Sequence, residues 1–255
     1  MKTTMWLLLC LWWTSAQAAE QMVRLNTRPG VTQGLLLLEP AGKPVASLIL
    51  FTGGDGVLKL DDDGQLHAGA GNFLVRTRQL WVEQGFQVAV VDAPSDHPDS
   101  ISRGDFRSST EHAQDMAVVI DALHQRADVP VWLVGTSRGT TSAAAVAIRL
   151  HDKVGGVVLT STINHERGNV AAMDLAQLTL PVLVVQHLHD QCKETLYRNV
   201  PALMDGLHAA SARELMLLDG GKDTGDPCQP WAAHGYNGIE TEVVGKISSW
   251  IRQHL

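Results

Sequence analysis

The sequence predicts a doubly wound α/β fold whose sheet is mainly parallel, on three observations. Short apolar runs recur along the chain and are continuous rather than alternating, as strands buried on both faces are. Segments of helical periodicity lie between them. One junction, Gly135-Thr136-Ser137-Arg138-Gly139, follows the apolar run Val131-Trp132-Leu133-Val134 and precedes Thr140-Thr141-Ser142-Ala143-Ala144-Ala145, giving strand, tight turn and helix in immediate succession.

The apolar runs that read as strands are Leu35 to Leu38, Ser47 to Phe51, Gln87 to Val91, Val131 to Val134, Gly156 to Thr160, Val182 to Gln186 and Leu215 to Leu218. Phe73 to Gln84 reads as a covering helix through Phe73, Leu74, Leu80 and Trp81. A second helix, Thr110 to Gln125, sets Ala113, Met116, Ala117, Ile120 and Leu123 at helical spacing, with Ser109 or Thr110 available to start it. A C-terminal helix, Ile239 to Gln253, aligns Val243, Val244, Ile247, Trp250 and Ile251. Alternation of the two kinds of segment indicates the doubly wound arrangement. Only about twenty residues part the strands that begin at Gly156 and Val182, too few for a large cap domain, so the site is expected to be open and shaped by the loops Asp92 to Ser108 and Gly54 to Gly71.

Bulk properties narrow the class. At 255 residues with 45% hydrophobic content, the chain is long enough for one sizeable domain, and no repeat or low-complexity linker divides it. Lys2 followed by the apolar run Trp6 to Trp13, with Ala16-Gln17-Ala18 as a cleavage signal, reads as a signal peptide over residues 1–18, which leaves a single domain over 19–255. Cys10 follows Leu9, where a lipoprotein signal would place a small residue. Cys192 and Cys228 then remain, an even number in a chain sent to an oxidising periplasmic or extracellular compartment, and are expected to pair. A net charge of -7 without a basic run or stripe argues against nucleic acid as a partner. No further apolar stretch of membrane-spanning length follows the signal, and no cofactor motif is present.

Ser137 carries the chemistry. A G-x-S-x-G at a strand-to-helix junction exposes the serine hydroxyl on a strained turn, with the helix start available to stabilise negative charge. A serine hydroxyl is a poor nucleophile near neutral pH and needs an imidazole to take its proton, usually with a carboxylate to orient that imidazole. Asp190, after the strand Val182 to Gln186, and His234, after the last strand, can supply them; Glu166 is an alternative carboxylate. Of the other histidines, His97, His112 and His151 lie early in the chain, His208 before the last strand and His254 at the terminus.

In the order Ser, Asp, His and in the placement of each on its element, the chain resembles the α/β-hydrolase superfamily, and among its members the uncapped secreted esterases and dienelactone-hydrolase-like proteins. The resemblance covers nearly all of residues 19–255. It implies Ser137 as nucleophile, His234 as general base and then acid, and Asp190 as the group that orients the imidazolium. It also implies an oxyanion hole made by the amide of Arg138 and one from Thr52-Gly53-Gly54-Asp55-Gly56, with Gly54 first and Gly53 next. Thr52 stands where the superfamily often has histidine. Cys192 and Cys228, near Asp190 and His234, would fasten the two loops together.

Other readings start from the same residues. His187, His189 and Asp190 invite a metal site, but no second cluster supplies the remaining ligands, so no metal is expected. A non-catalytic ligand-binding protein on this fold has no need of the full Ser137, Asp190, His234 set, and a peptidase or thioesterase would share it. Arg103, Arg107 and Lys59 lie on loops near the expected site, and Arg107 is the one proposed to meet an acidic substrate group. The expected ligand is a small-molecule ester; acyl group, leaving group and oligomeric state are not legible.

Overall fold

A computed structural model of the chain describes residues 18–165 and 168–255. Residues 1–17, which hold all but the last residue of the expected signal peptide, and Glu166, the alternative carboxylate, lie outside the described residues. The described chain builds one eight-stranded sheet in the order β1-β2-β4-β3-β5-β6-β7-β8. The strands are β1 (Glu20–Arg28), β2 (Val31–Leu38), β3 (Ser47–Phe51), β4 (Gln87–Pro94), β5 (Val131–Thr136), β6 (Gly156–Thr160), β7 (Val182–His187) and β8 (Arg213–Leu218). From β4 through β8 every neighbouring pair is parallel, while β1 and β2 form an antiparallel hairpin added at the β4 edge.

The continuous apolar runs are explained by two cores. Successive side chains of a strand point to opposite faces, so Leu35, Leu37, Ile49 and Phe51 enter one apolar layer and Leu36, Leu38, Leu48 and Leu50 the other. Helices α3 (Thr110–Arg126) and α4 (Gly139–Arg149) cover the first face with Met116, Val119, Ile120, Leu123, Ala143 and Ala147. On the second face lie α1 (Phe73–Arg76), α2 (Arg78–Glu83) and α6 (Glu240–Gln253), the last contributing Val243, Val244, Ile247, Trp250 and Ile251. Truncating a fully buried aliphatic such as Ile247 to alanine would cost about 2–5 kcal/mol.

Three local readings need correction. The helix expected over Phe73 to Gln84 is two short helices meeting at Thr77, whose hydroxyl donates to the Phe73 carbonyl and whose φ of -96° departs from helical geometry. β1 is a strand although no apolar run marks it. A further helix, α5 (Val200–Gly206), carries proline in its first turn. By contrast Ser109 caps α3 as expected, accepting the amide of His112 at 3.0 Å. Between β6 and β7 the described residues form only two 3-10 turns, Val170–Ala172 and Leu175–Gln177, and no cap domain. No described helix is long and apolar enough to cross a membrane.

Because β3, β5, β7 and β8 run in the same direction, the loops leaving their C-terminal ends gather at one edge of the sheet. Ser137, Asp190, His234 and the Thr52–Gly56 loop all belong to those connections.

Candidate active site

Ser137 follows β5 directly and adopts φ 51°, a left-handed conformation rare for a residue with a side chain. Its amide donates to the Thr160 carbonyl at 3.0 Å, and its carbonyl accepts from the Thr140 amide and hydroxyl at 2.9 and 2.6 Å. These bonds hold the strained turn from both sides. The second glycine of the pentapeptide is required by packing: a Cβ on Gly139 would overlap the Phe51 carbonyl oxygen, so only glycine lets α4 start against β3.

Asp190 lies in the turn after β7, its side chain fully buried, and four donors converge on its carboxylate. Oδ1 accepts the Cys192 amide at 2.9 Å. Oδ2 accepts Gln186 Nε2 at 3.1 Å, the Thr195 hydroxyl at 2.9 Å and His234 Nδ1 at 3.1 Å. A carboxylate oxygen only accepts, so the proton of the Asp190–His234 bond sits on Nδ1 and His234 Nε2 keeps its lone pair. The same Nδ1 is 3.3 Å from the Thr195 hydroxyl.

The histidine backbone is anchored as firmly. His234 sits in the 3-10 turn Ala233–Gly235, and its carbonyl accepts the Ser161 hydroxyl at 2.8 Å. Ser161 and the fully buried Tyr236 are both left-handed, with φ of 44° and 57°. The Tyr236 hydroxyl accepts the Ser161 amide at 3.0 Å and donates to the Val185 carbonyl at 2.9 Å. Burial pushes the phenol pKa up, which keeps it a donor. Arg76 ties the next turn down, donating to the Gly235 carbonyl at 2.5 Å, the Gly71 carbonyl at 2.7 Å and Glu240. Cys192 and Cys228 form the expected disulfide, which links the Asp190 loop to the segment leading into His234.

Ser137 and His234 open into one cleft of about 530 Å³. Its walls come from the Thr52–Lys59 loop, the Ala68–Phe73 segment and the Cys228–Pro230 segment. Six of the lining residues are glycine and two alanine, so part of the wall is backbone. Gly53 approaches the serine so closely that a Cβ there would stand 2.9 Å from Ser137 Cβ. The amides of Gly53, Gly54 and Arg138 have no protein acceptor among the described residues and remain available to a ligand oxygen.

The structure therefore brings together Ser137, His234, Asp190 and the glycine loop. Lys59 lines the cleft, Arg103 does not, and Arg107 lies beneath the glycine loop rather than in the cleft wall. The Arg107 guanidinium is buried and donates to the carbonyls of Thr52 and Gly54 at 3.0 and 3.2 Å and to the hydroxyls of Ser102 and Ser142 at 2.8 and 3.0 Å. His187 Nε2 lies 2.9 Å from the Gly220 carbonyl and His189 Nε2 lies 3.1 Å from Asp219, so the two imidazoles face different partners. Thr195, Gln186, Ser161, Tyr236 and Arg76 were not anticipated from the sequence; each acts through a tertiary hydrogen bond that no local pattern announces.

Comparison with solved structures agrees with this architecture. An α/β serine hydrolase homologue from Coxiella burnetii superposes with a TM-score of 0.63 at 19% identity, over 90% of this chain and 96% of that one. A dienelactone hydrolase from Anabaena variabilis gives 0.63 at 16% identity, over 94% and 100% of the two chains. A Xanthomonas campestris α/β serine hydrolase described as having no lid gives 0.63 at 15%, over 92% and 95%. The chain has the α/β-hydrolase fold. No protein-family profile matches the sequence, and no curated protein matches it. At these identities the likeness speaks for the fold of this α/β-hydrolase-like chain, and its chemistry has to be argued from the cleft.

Proposed function

We propose that the protein is a serine hydrolase that cleaves small carboxylic esters through an acyl-enzyme, acting as a single domain after export to an oxidising compartment. The observation that carries this reading is the left-handed Ser137 at the β5–α4 turn, sharing one cleft with a His234 whose Nδ1 is engaged by the buried Asp190. His234 Nε2 takes the Ser137 proton as Oγ attacks the ester carbonyl. The resulting oxyanion is received by the Arg138 amide and by Gly54 or Gly53 on the facing loop. Collapse expels the alkoxide, which receives the proton held on His234. Water, deprotonated by the same imidazole, then attacks the acyl-serine and releases the acid.

Export is supported by the amino-terminal sequence and by the disulfide. A small ester is favoured because the cleft of about 530 Å³ has room for a small acyl group and a leaving alcohol, and no cap domain covers it among the described residues. The test is hydrolysis of short p-nitrophenyl esters by the mature protein beside Ser137→Ala, with a chelator present. Turnover that disappears in the variant and survives chelation supports the reading. Absence of both turnover and fluorophosphonate labelling of Ser137 would return the chain to the ligand-binding class.

A further inference from the structure

We propose that Arg107 is a positioning residue that fixes the Thr52–Gly56 loop with its amides turned toward Ser137. This rests on the serine hydrolase reading and adds a part to it. The guanidinium is buried, yet among the described residues it hydrogen-bonds no carboxylate; its partners there are two loop carbonyls and two hydroxyls. The nearby Asp55 carboxylate is directed elsewhere, accepting the Ser100 hydroxyl at 2.7 Å. Burial and the like charge of Arg138 lower the Arg107 pKa to about 9, which leaves it cationic at neutral pH.

Peptide geometry converts those contacts into an orientation. The described peptide bonds are all trans, so each carbonyl points opposite to the N–H of the next residue. With the Thr52 carbonyl drawn to Arg107, the Gly53 N–H faces the other way, and the Ser137 side chain lies against Gly53. The Gly54 carbonyl is held by Arg107 and, at 2.6 Å, by the Ser102 hydroxyl. Between them the Gly53 carbonyl accepts the Gly56 amide at 3.1 Å, and Gly54 and Gly56 take positive φ to close the turn. The loop is wrapped so tightly on the guanidinium that a Cβ on Gly56 would stand 2.5 Å from Arg107 Nη2.

A glycine-rich loop without that cation is free to rotate its peptides, and a flipped peptide would present a carbonyl oxygen to the oxyanion instead of an N–H. The bound ester is neutral and suffers little from such a flip, whereas the tetrahedral intermediate is charged and suffers much. Loss of Arg107 should therefore lower kcat and spare KM. A substrate-binding arginine would do the opposite.

The experiment compares the mature, disulfide-bonded wild type with Arg107→Gln, Arg107→Lys, Ser102→Ala and Ser142→Ala. It measures kcat and KM on p-nitrophenyl butyrate and the affinity for an alkyl boronic acid, whose tetrahedral serine adduct carries the negative oxygen. Arg107→Gln is expected to lose about 100-fold in kcat with KM nearly unchanged, with boronate affinity falling in parallel. Arg107→Lys should recover part of that loss, and Ser102→Ala should lower kcat about 3- to 10-fold through its single bond to Gly54. A folded Arg107→Gln with wild-type kcat, or with the defect confined to KM, overturns the proposal. Should Arg107→Gln not fold, wild-type kcat in both serine variants overturns it. A wild type without Ser137-dependent turnover or labelling overturns the hydrolase reading itself and this proposal with it; an active wild type with an indifferent Arg107 overturns the positioning role alone.

Discussion

His112 makes the stability of this fold depend on pH in a calculable way. Its ring is buried against Phe51 and Phe106, and neither ring nitrogen has a hydrogen-bond partner among the described residues. Burial, reinforced by the cations of Arg107 and Arg28, pushes its pKa from 6.5 down to about 3. The native state therefore excludes a proton that the unfolded chain accepts below pH 6.5. Stability from this site is complete above that pH and is lost progressively as the pH falls toward 3. By linkage the loss is about 2 kcal/mol at pH 5 and about 3 kcal/mol at pH 4, each pH unit in the window being worth about 1.4 kcal/mol. His112→Leu keeps a helix-compatible apolar side chain of similar size at the site and removes the titration. Denaturant unfolding of both proteins at pH 7, 5 and 4 measures the effect. The difference in unfolding free energy, variant minus wild type, should grow by about 2 kcal/mol between pH 7 and 5, and the variant should be no less stable at pH 7 because it no longer buries two unpartnered nitrogens. A difference that stays constant with pH would refute the reasoning, as would an NMR titration of the His112 ring near 6.5 in the folded protein.

Asp190→Asn should leave the fold intact and lower kcat by roughly 10⁴-fold, because the amide favours the wrong tautomer of His234; steady-state kinetics on the ester used for the wild type checks it. Thr195→Val removes one of the four donors to Asp190 and should cost roughly 10-fold in kcat with little change in thermal midpoint, read from the same assay and a melt. Replacing both Cys192 and Cys228 by serine should destabilise by about 4 kcal/mol on the chain-entropy account, since the bond closes a span of 36 residues, lowering the midpoint by roughly 10 °C. Tyr236→Phe removes the hydroxyl's bonds to the Ser161 amide and the Val185 carbonyl, which still pair with each other at 2.9 Å, and should cost about 1 kcal/mol in stability by denaturant titration.

The parts of this molecule that could be read in advance are those whose physics is local. A strand buried on both faces must be apolar throughout, so β3, β5, β6 and β7 announce themselves. A serine on a strained turn needs glycines at fixed offsets, and Gly135 and Gly139 stand there. β1 has no such mark: its sequence Glu20–Arg28 is half exposed, and it is a strand because β2 offers it a partner, not because its composition demands one. The break at Thr77 turns on one hydroxyl finding the Phe73 carbonyl. Arg107 is the plainest case, for a charged residue on a loop near the expected site reads as one that meets a substrate group. Its real surroundings, carbonyls from a loop about fifty residues earlier and a hydroxyl from α4, exist only once the sheet has assembled.

The Cys192–Cys228 bond divides the cleft by order of assembly. The serine turn and the glycine loop are set by β3, β5 and α4 and do not involve either cysteine, whereas the Asp190 and His234 segments are joined by a bond that forms only when an oxidant is present. Protein produced in a reducing cytosol would thus hold a finished nucleophile beside a base whose loop is unlatched. Weak turnover in such material would measure the missing sulfur–sulfur bond, and restoration on mild oxidation, without refolding, would separate that cause from a mistaken choice of substrate.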